Sequence, residues 1–145
     1  MKDETGLMFE NAMKNKLGSV LEKAVLEKYD FKTFVNTFFR SELIAGFYED
    51  ITVFSQAHKY ILTLYREEMQ EKNILVEFVD EVETEHLAPA YWIGYIFAEW
   101  YYQDGTTATE ILDNYDFDAI YDSYDMLHTQ SAKYAIDWIK KEFVK

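Results

Sequence analysis

The stretch that decides the fold runs from Ala90 to Tyr102 and reads AYWIGYIFAEWYY. It is apolar almost all the way round a helix, and it follows the chain's one proline, Pro89, which suits a first helical turn where a missing N–H costs nothing. A helix without a polar face must be packed on several sides, so this one is predicted to be the centre of the molecule. Gly94 inside it would cost about 1 kcal/mol against alanine, which predicts a close helix crossing at that point. Asp104-Gly105 ends the helix, the glycine supplying a left-handed residue just past the last turn.

Outward toward the N-terminus, the apolar spacing again reads helix. Met13, Leu17, Leu21, Ala24 and Val25 line one face of a first helix over roughly 10–28, with Met1 to Thr5 frayed. Phe31, Phe34, Val35, Phe38 and Phe39 make a wide stripe capped by Asp30, and Ser41 caps a short continuation with Leu43, Ile44 and Phe47. A helix over about 55–71 sets Ala57, Ile61, Leu64 and Tyr65 against a charged face. The following Ile74, Leu75, Phe78, Val79 and Val82 suit a helix slightly better than a strand, since a lone strand would have no evident partner.

Toward the C-terminus, Thr107 and Glu110 have capping-box spacing ahead of Ile111 and Leu112. Asp116 can cap a helix bearing Phe117, Ile120, Tyr121 and Tyr124, and Thr129 or Ser131 starts the last one, with Ala132, Ala135, Ile136, Ile139 and Phe143 inward. The expectation is an all-α fold: one compact domain over residues 1–145, with about six to eight helices around a central apolar helix at about 90–102.

Composition bounds the function. A chain of 145 residues with 49% hydrophobic residues fills one domain, and its lack of cysteine excludes a disulfide scaffold, a thiol nucleophile and thiolate metal sites. No apolar run long enough for a membrane span and no secretory leader is visible, so a cytoplasmic protein without membrane contact is expected. A net charge of −13 argues against direct nucleic-acid binding. That charge is lopsided: between Lys72 and Lys133 there is no Lys or Arg, while thirteen carboxylates stand there, equal to the whole net charge.

Catalytic motifs find little support. There is no Gly-x-Ser-x-Gly elbow and no glycine-rich phosphate loop. Glu83 and His86 have the Glu-x-x-His spacing of di-iron bundles, but only one copy is present, and no His-Glu-x-x-His motif occurs. The run Asp113-Asn114-Tyr115-Asp116-Phe117-Asp118 lacks the glycine and glutamate that an EF-hand loop requires. No cofactor, metal or catalytic residue is therefore assigned. What remains is an acidic, tyrosine-rich segment over 104–125, in which tyrosines can anchor an interface and carboxylates can steer a basic partner. The candidate partner-binding residues are Asp104, Asp113, Tyr115, Asp116, Asp118, Tyr121, Asp122, Tyr124 and Asp125.

Ala90-Tyr91-Trp92-Ile93-Gly94-Tyr95-Ile96-Phe97 with Trp100, Thr106 to Glu110-Ile111, His128-Thr129 and Ala135-Ile136, together with Phe34-Val35, Phe38, Ser41 and Ile44-Ala45 upstream, resembles a family of small uncharacterised bacterial proteins with a Tyr-Trp-x-Gly-Tyr-x-x-x-x-Trp core. The resemblance spans roughly residues 31–140. Members often stand beside toxin-like genes, so it implies an antitoxin-like or accessory role in a toxin–antitoxin or defence locus. The expected function is a non-enzymatic acidic protein that neutralises or modulates a basic protein partner such as a toxin or nuclease. The alternatives are a phage-type nucleic-acid mimic that inhibits a nuclease, and a metal-dependent enzyme using Glu83 and His86.

Overall fold

A computed structural model describes residues 4–49 and 55–145. The described chain forms α1 (Glu4–Leu26), α2 (Phe31–Phe39), α3 (Glu42–Glu49) and α4 (His58–Glu71). A single 3₁₀ turn (Thr84–His86) leads into α5 (Leu87–Asp104), followed by α6 (Ala108–Asn114), α7 (Phe117–Asp122), α8 (Tyr124–Leu127) and α9 (Ala132–Glu142). The fold is all-α, as expected, and α5 is its centre: it lies along α1 for most of its length and also meets α9, α6 and the 3₁₀ turn. Ala90, Ile93, Ile96, Phe97, Ala98 and Trp100 of α5 are all buried.

The crossing predicted at Gly94 exists, and its partner is Gly18 of α1. A methyl group placed on Gly94 would lie 2.7 Å from the Gly18 Cα and from the Leu17 carbonyl oxygen, inside contact distance with backbone. One on Gly18 would lie 2.8 Å from the Tyr91 carbonyl oxygen and 3.0 Å from its ring. The two helices thus touch backbone to backbone, which only residues without a Cβ permit. Around this contact, the phenylalanine stripe of α2 stacks into the core, Phe34 on Phe38 at 4.9 Å and Phe39 on Phe97 at 4.9 Å between ring centroids.

Helix ends follow local chemistry. Asp30 accepts from the Thr33 N–H to cap α2, Thr107 and Glu110 form the reciprocal box that opens α6, and Asp116 and Ser131 cap α7 and α9. Gly105 closes α5 with φ 80°, the left-handed residue expected there. The helix expected from Asp116 onward is interrupted at Ser123, whose buried hydroxyl donates to the Ile120 carbonyl and divides it into α7 and α8.

Two expectations are corrected. Glu4 and Thr5 belong to α1, which stops at Leu26 because Lys28 turns left-handed at φ 69°; residues 1–3 lie outside the described part of the chain. The segment 74–82 is not a helix. Asn73 turns left-handed at φ 57°, and the chain then runs extended past the α1–α2 turn, where Asp30 N–H donates to Glu77 O at 2.9 Å and Val79 N–H to Lys28 O at 2.8 Å. An isolated antiparallel bridge between Tyr29 and Phe78 results. The partner that an extended Val- and Ile-rich run needs is a turn, which periodicity cannot announce.

Candidate functional site

The acidic segment divides on folding, because bases from both ends of the chain reach into it. Lys140 of α9 meets Asp104 at 2.6 Å, Arg40 after α2 meets Asp113 at 2.8 Å, Lys32 of α2 meets Asp118 at 2.7 Å, and Lys14 of α1 meets Glu99 at 2.7 Å. Thr106 also donates to Asp104 through its N–H and hydroxyl. Burial alone would raise the Asp104 carboxyl, but these hydrogen bonds from Lys140 and Thr106 outweigh it and hold the group below the usual carboxylate range. Asp116 serves as the α7 cap, accepting from the Ala119 N–H. Tyr115 leans on the buried Trp100 with ring centroids 5.0 Å apart and pairs its backbone with Val144. Of the nine residues expected to bind a partner, Asp104, Asp113, Tyr115, Asp116 and Asp118 are thus engaged within the fold.

Tyr121, Asp122, Tyr124 and Asp125 are brought together. With Glu85, Ala88 and Pro89 they line a cleft of about 310 Å³ where α7 and α8 face the start of α5. Glu85, Asp122 and Asp125 are exposed and make no ion pair among the described residues, Asp122 feeling Lys32 only at a distance. The Tyr121 hydroxyl bonds His86 Nδ1, and the His86 ring stacks on Phe31 with centroids 5.5 Å apart, which fixes the base of the cleft. Burial raises the Tyr121 phenol first; the charged groups that add to it are Glu85, Asp122, Glu83 and Asp125, all negative. The cleft therefore has an aromatic floor in a negative field.

A second cleft, about 430 Å³, adjoins the first and shares Ala88 and Tyr124 with it. Its wall is a single stripe of α5, Ala88, Tyr91, Trp92, Tyr95 and Ile96, faced by Tyr124 and His128, with Glu22 of α1 at one side. Trp92 meets Tyr124 edge-on, ring centroids 5.7 Å apart at 71°, and Tyr124 stacks on His128 at 4.3 Å. Tyr91 donates its hydroxyl proton to Asn15 Oδ1. The apolar pattern predicts that this helix is packed on several sides. That holds for Trp100, but Tyr91, Trp92 and Tyr95 are half-buried residues whose outer surfaces form this cleft. The signal was present in the spacing 88, 91, 92, 95, 96, one face of a helix whose rings carry polar tips.

The metal candidates also meet. Ligand atoms of Glu83, Glu85 and His86 lie within 4.8 Å of one another, with His86 Nε2 3.9 Å from Glu83 Oε1. This is one donor short of a closed structural zinc site. No helix among the described residues is long and apolar enough to cross a membrane. Among known proteins, no family model, no curated protein and no solved structure matches the chain.

Proposed function

We propose that this is a non-enzymatic binding protein that neutralises or modulates a basic protein partner, the antitoxin-like role that its sequence resemblance implies. The docking face is narrower than the acidic segment as a whole: it comprises Glu85, Tyr121, Asp122, Tyr124 and Asp125. The supporting observation is the cleft itself, in which three exposed carboxylates that make no ion pair among the described residues surround two half-buried tyrosines. Carboxylates already satisfied by lysine or arginine add little attraction for an incoming cation, whereas unmatched ones raise its capture rate. Tyrosines with one buried face offer contact area at low conformational cost.

The test uses a partner recovered by pull-down from the host and then purified. Its association with wild type should slow as salt rises, and the Asp122→Lys, Asp125→Lys double variant should slow it about tenfold or more. Capture that ignores both salt and charge reversal sinks the reading. Displacement of the protein by DNA or RNA from the partner's groove would instead identify a nucleic-acid mimic.

A further inference from the structure

Tyr124 belongs to both clefts, so a partner seated over Asp122 and Asp125 stands next to the aromatic one. We propose that the aromatic cleft receives one arginine side chain of that basic partner, its guanidinium lying against the Trp92 and Tyr124 rings with Glu22 answering its charge; this rests on the docking reading above. Three features of the cleft select that occupant. Its rings present π-faces, and a face, unlike an edge, attracts a cation placed over it. Trp92 and Tyr124 meet edge-on at 71° rather than in a stack, and His128 covers one face of Tyr124, which leaves a flat group the other ring surfaces of the cleft. Among the described residues, Glu22 is the carboxylate in the lining, no Lys or Arg lines it, and Glu22 makes no ion pair.

The molecule already uses one of these rings for a cation. Lys14 Nζ sits 5.3 Å from the Tyr95 ring centroid while it pairs with Glu99. Glu99 balances the charge of Lys14, and Glu22 with the three carboxylates of the adjoining cleft adds negative charge beside the rings. Arginine fits better than lysine, because guanidinium is planar, stacks on aromatic faces and holds its hydration more weakly than an ammonium.

The test titrates N-acetyl-arginine amide into the full chain and follows the indole N–H of Trp92 by NMR, assigned with Trp92→Phe. N-acetyl-norleucine amide serves as the apolar control and N-acetyl-lysine amide as the ammonium control. Arginine amide should shift the Trp92 signal saturably and bind about threefold or more tighter than norleucine amide, with lysine amide between them and the buried Trp100 signal unmoved. Glu22→Gln should weaken arginine binding about threefold and Tyr124→Ala more, the helical circular dichroism being retained in both. Equal binding of norleucine and arginine, or no shift with arginine, overturns the proposal. Should arginine fail here while reversal of Asp122 and Asp125 still slows partner capture, this inference falls and the docking face stands. Should arginine bind while reversal leaves capture unchanged, the docking reading falls and the arginine belongs to a different ligand.

Discussion

The α1–α5 crossing and the α7–α8 face are built from similar residue types and come out opposite. At the crossing, Gly18 and Gly94 bring two backbones into contact, Lys14 neutralises Glu99, and one buried polar atom among the described residues, the Trp100 indole nitrogen, lacks a partner. At the α7–α8 face, carboxylates that make no ion pair among the described residues stand beside half-exposed rings and open clefts. Both regions hold acids and aromatics, so composition does not separate them. What separates them is whether the fold delivers a cation and a second packed surface to the same place. Stability and recognition should accordingly respond to different substitutions.

The largest effect should come from the crossing. Gly94→Ala gains about 1 kcal/mol of helix propensity, yet its methyl would meet the Gly18 backbone at 2.7 Å, where no flexible side chain can give way. Forcing the helices apart should cost a net of about 2 kcal/mol or more, read as a lower urea midpoint with an unchanged m-value. An unchanged midpoint would mean that the two helices do not touch there. The next effect belongs to the other region: Asp122→Lys with Asp125→Lys should slow partner capture about tenfold and leave the melting temperature unchanged or raised, since it relieves repulsion in a chain of charge −13. Loss of both capture and stability would erase the distinction between the regions.

Much of the first region was legible in the sequence, and little of the second. A glycine in an all-apolar helix announces a crossing, and caps such as Asp30, Thr107 with Glu110, Asp116 and Ser131 announce helix starts, because both depend on neighbours within a few residues. The partner at the crossing, Gly18, could not be named, since nothing local links residues so far apart. The same limit governs the acids. That Asp104, Asp113 and Asp118 receive Lys140, Arg40 and Lys32 is a property of how α9 and α2 pack, so a charge count along the chain overstates the docking face. The segment 74–82 was misread for a related reason: its backbone partners sit at 28 and 30, and a period-four pattern of apolar residues carries no trace of them.

Acid titration sharpens the comparison at a smaller scale. Asp104 and Glu68 both have burial pushing their carboxyls up. Hydrogen bonds from Lys140 and Thr106 in one case, and from Lys72 and the Glu42 and Leu43 N–H groups in the other, outweigh burial and lower both. A carboxyl lowered in the folded state contributes stability that is full above its unfolded value, near 4, and is lost as pH falls through the folded value. Stability should therefore decline on the acid side, and Glu68→Gln should flatten that decline at a cost of about 1 kcal/mol at neutral pH. Asp104 is about one-third exposed, so Asp104→Asn should cost less than this. Neither variant should slow partner capture, because both acids lie outside the docking face; a slowed capture in Asp104→Asn would restore the wider face expected from sequence.

The smallest effect returns to glycine and isolates what the crossing adds. Gly46 lies inside α3, and among the described residues a methyl group placed on it meets nothing within 4 Å. Its flexibility is not required by any positive φ, since Gly105 is the glycine with that conformation among the described residues. Gly46→Ala should then stabilise the protein by about 0.5 kcal/mol through the unfolded chain's lost freedom and better helix propensity, visible as a small rise in urea midpoint. Set beside Gly94→Ala, the same substitution would change sign between two helix interiors. The sign is decided by one difference, the presence or absence of another backbone where the new methyl must go. A loss at Gly46 would show that α3 depends on flexibility at that point, and the contrast with Gly94 would no longer measure the crossing alone.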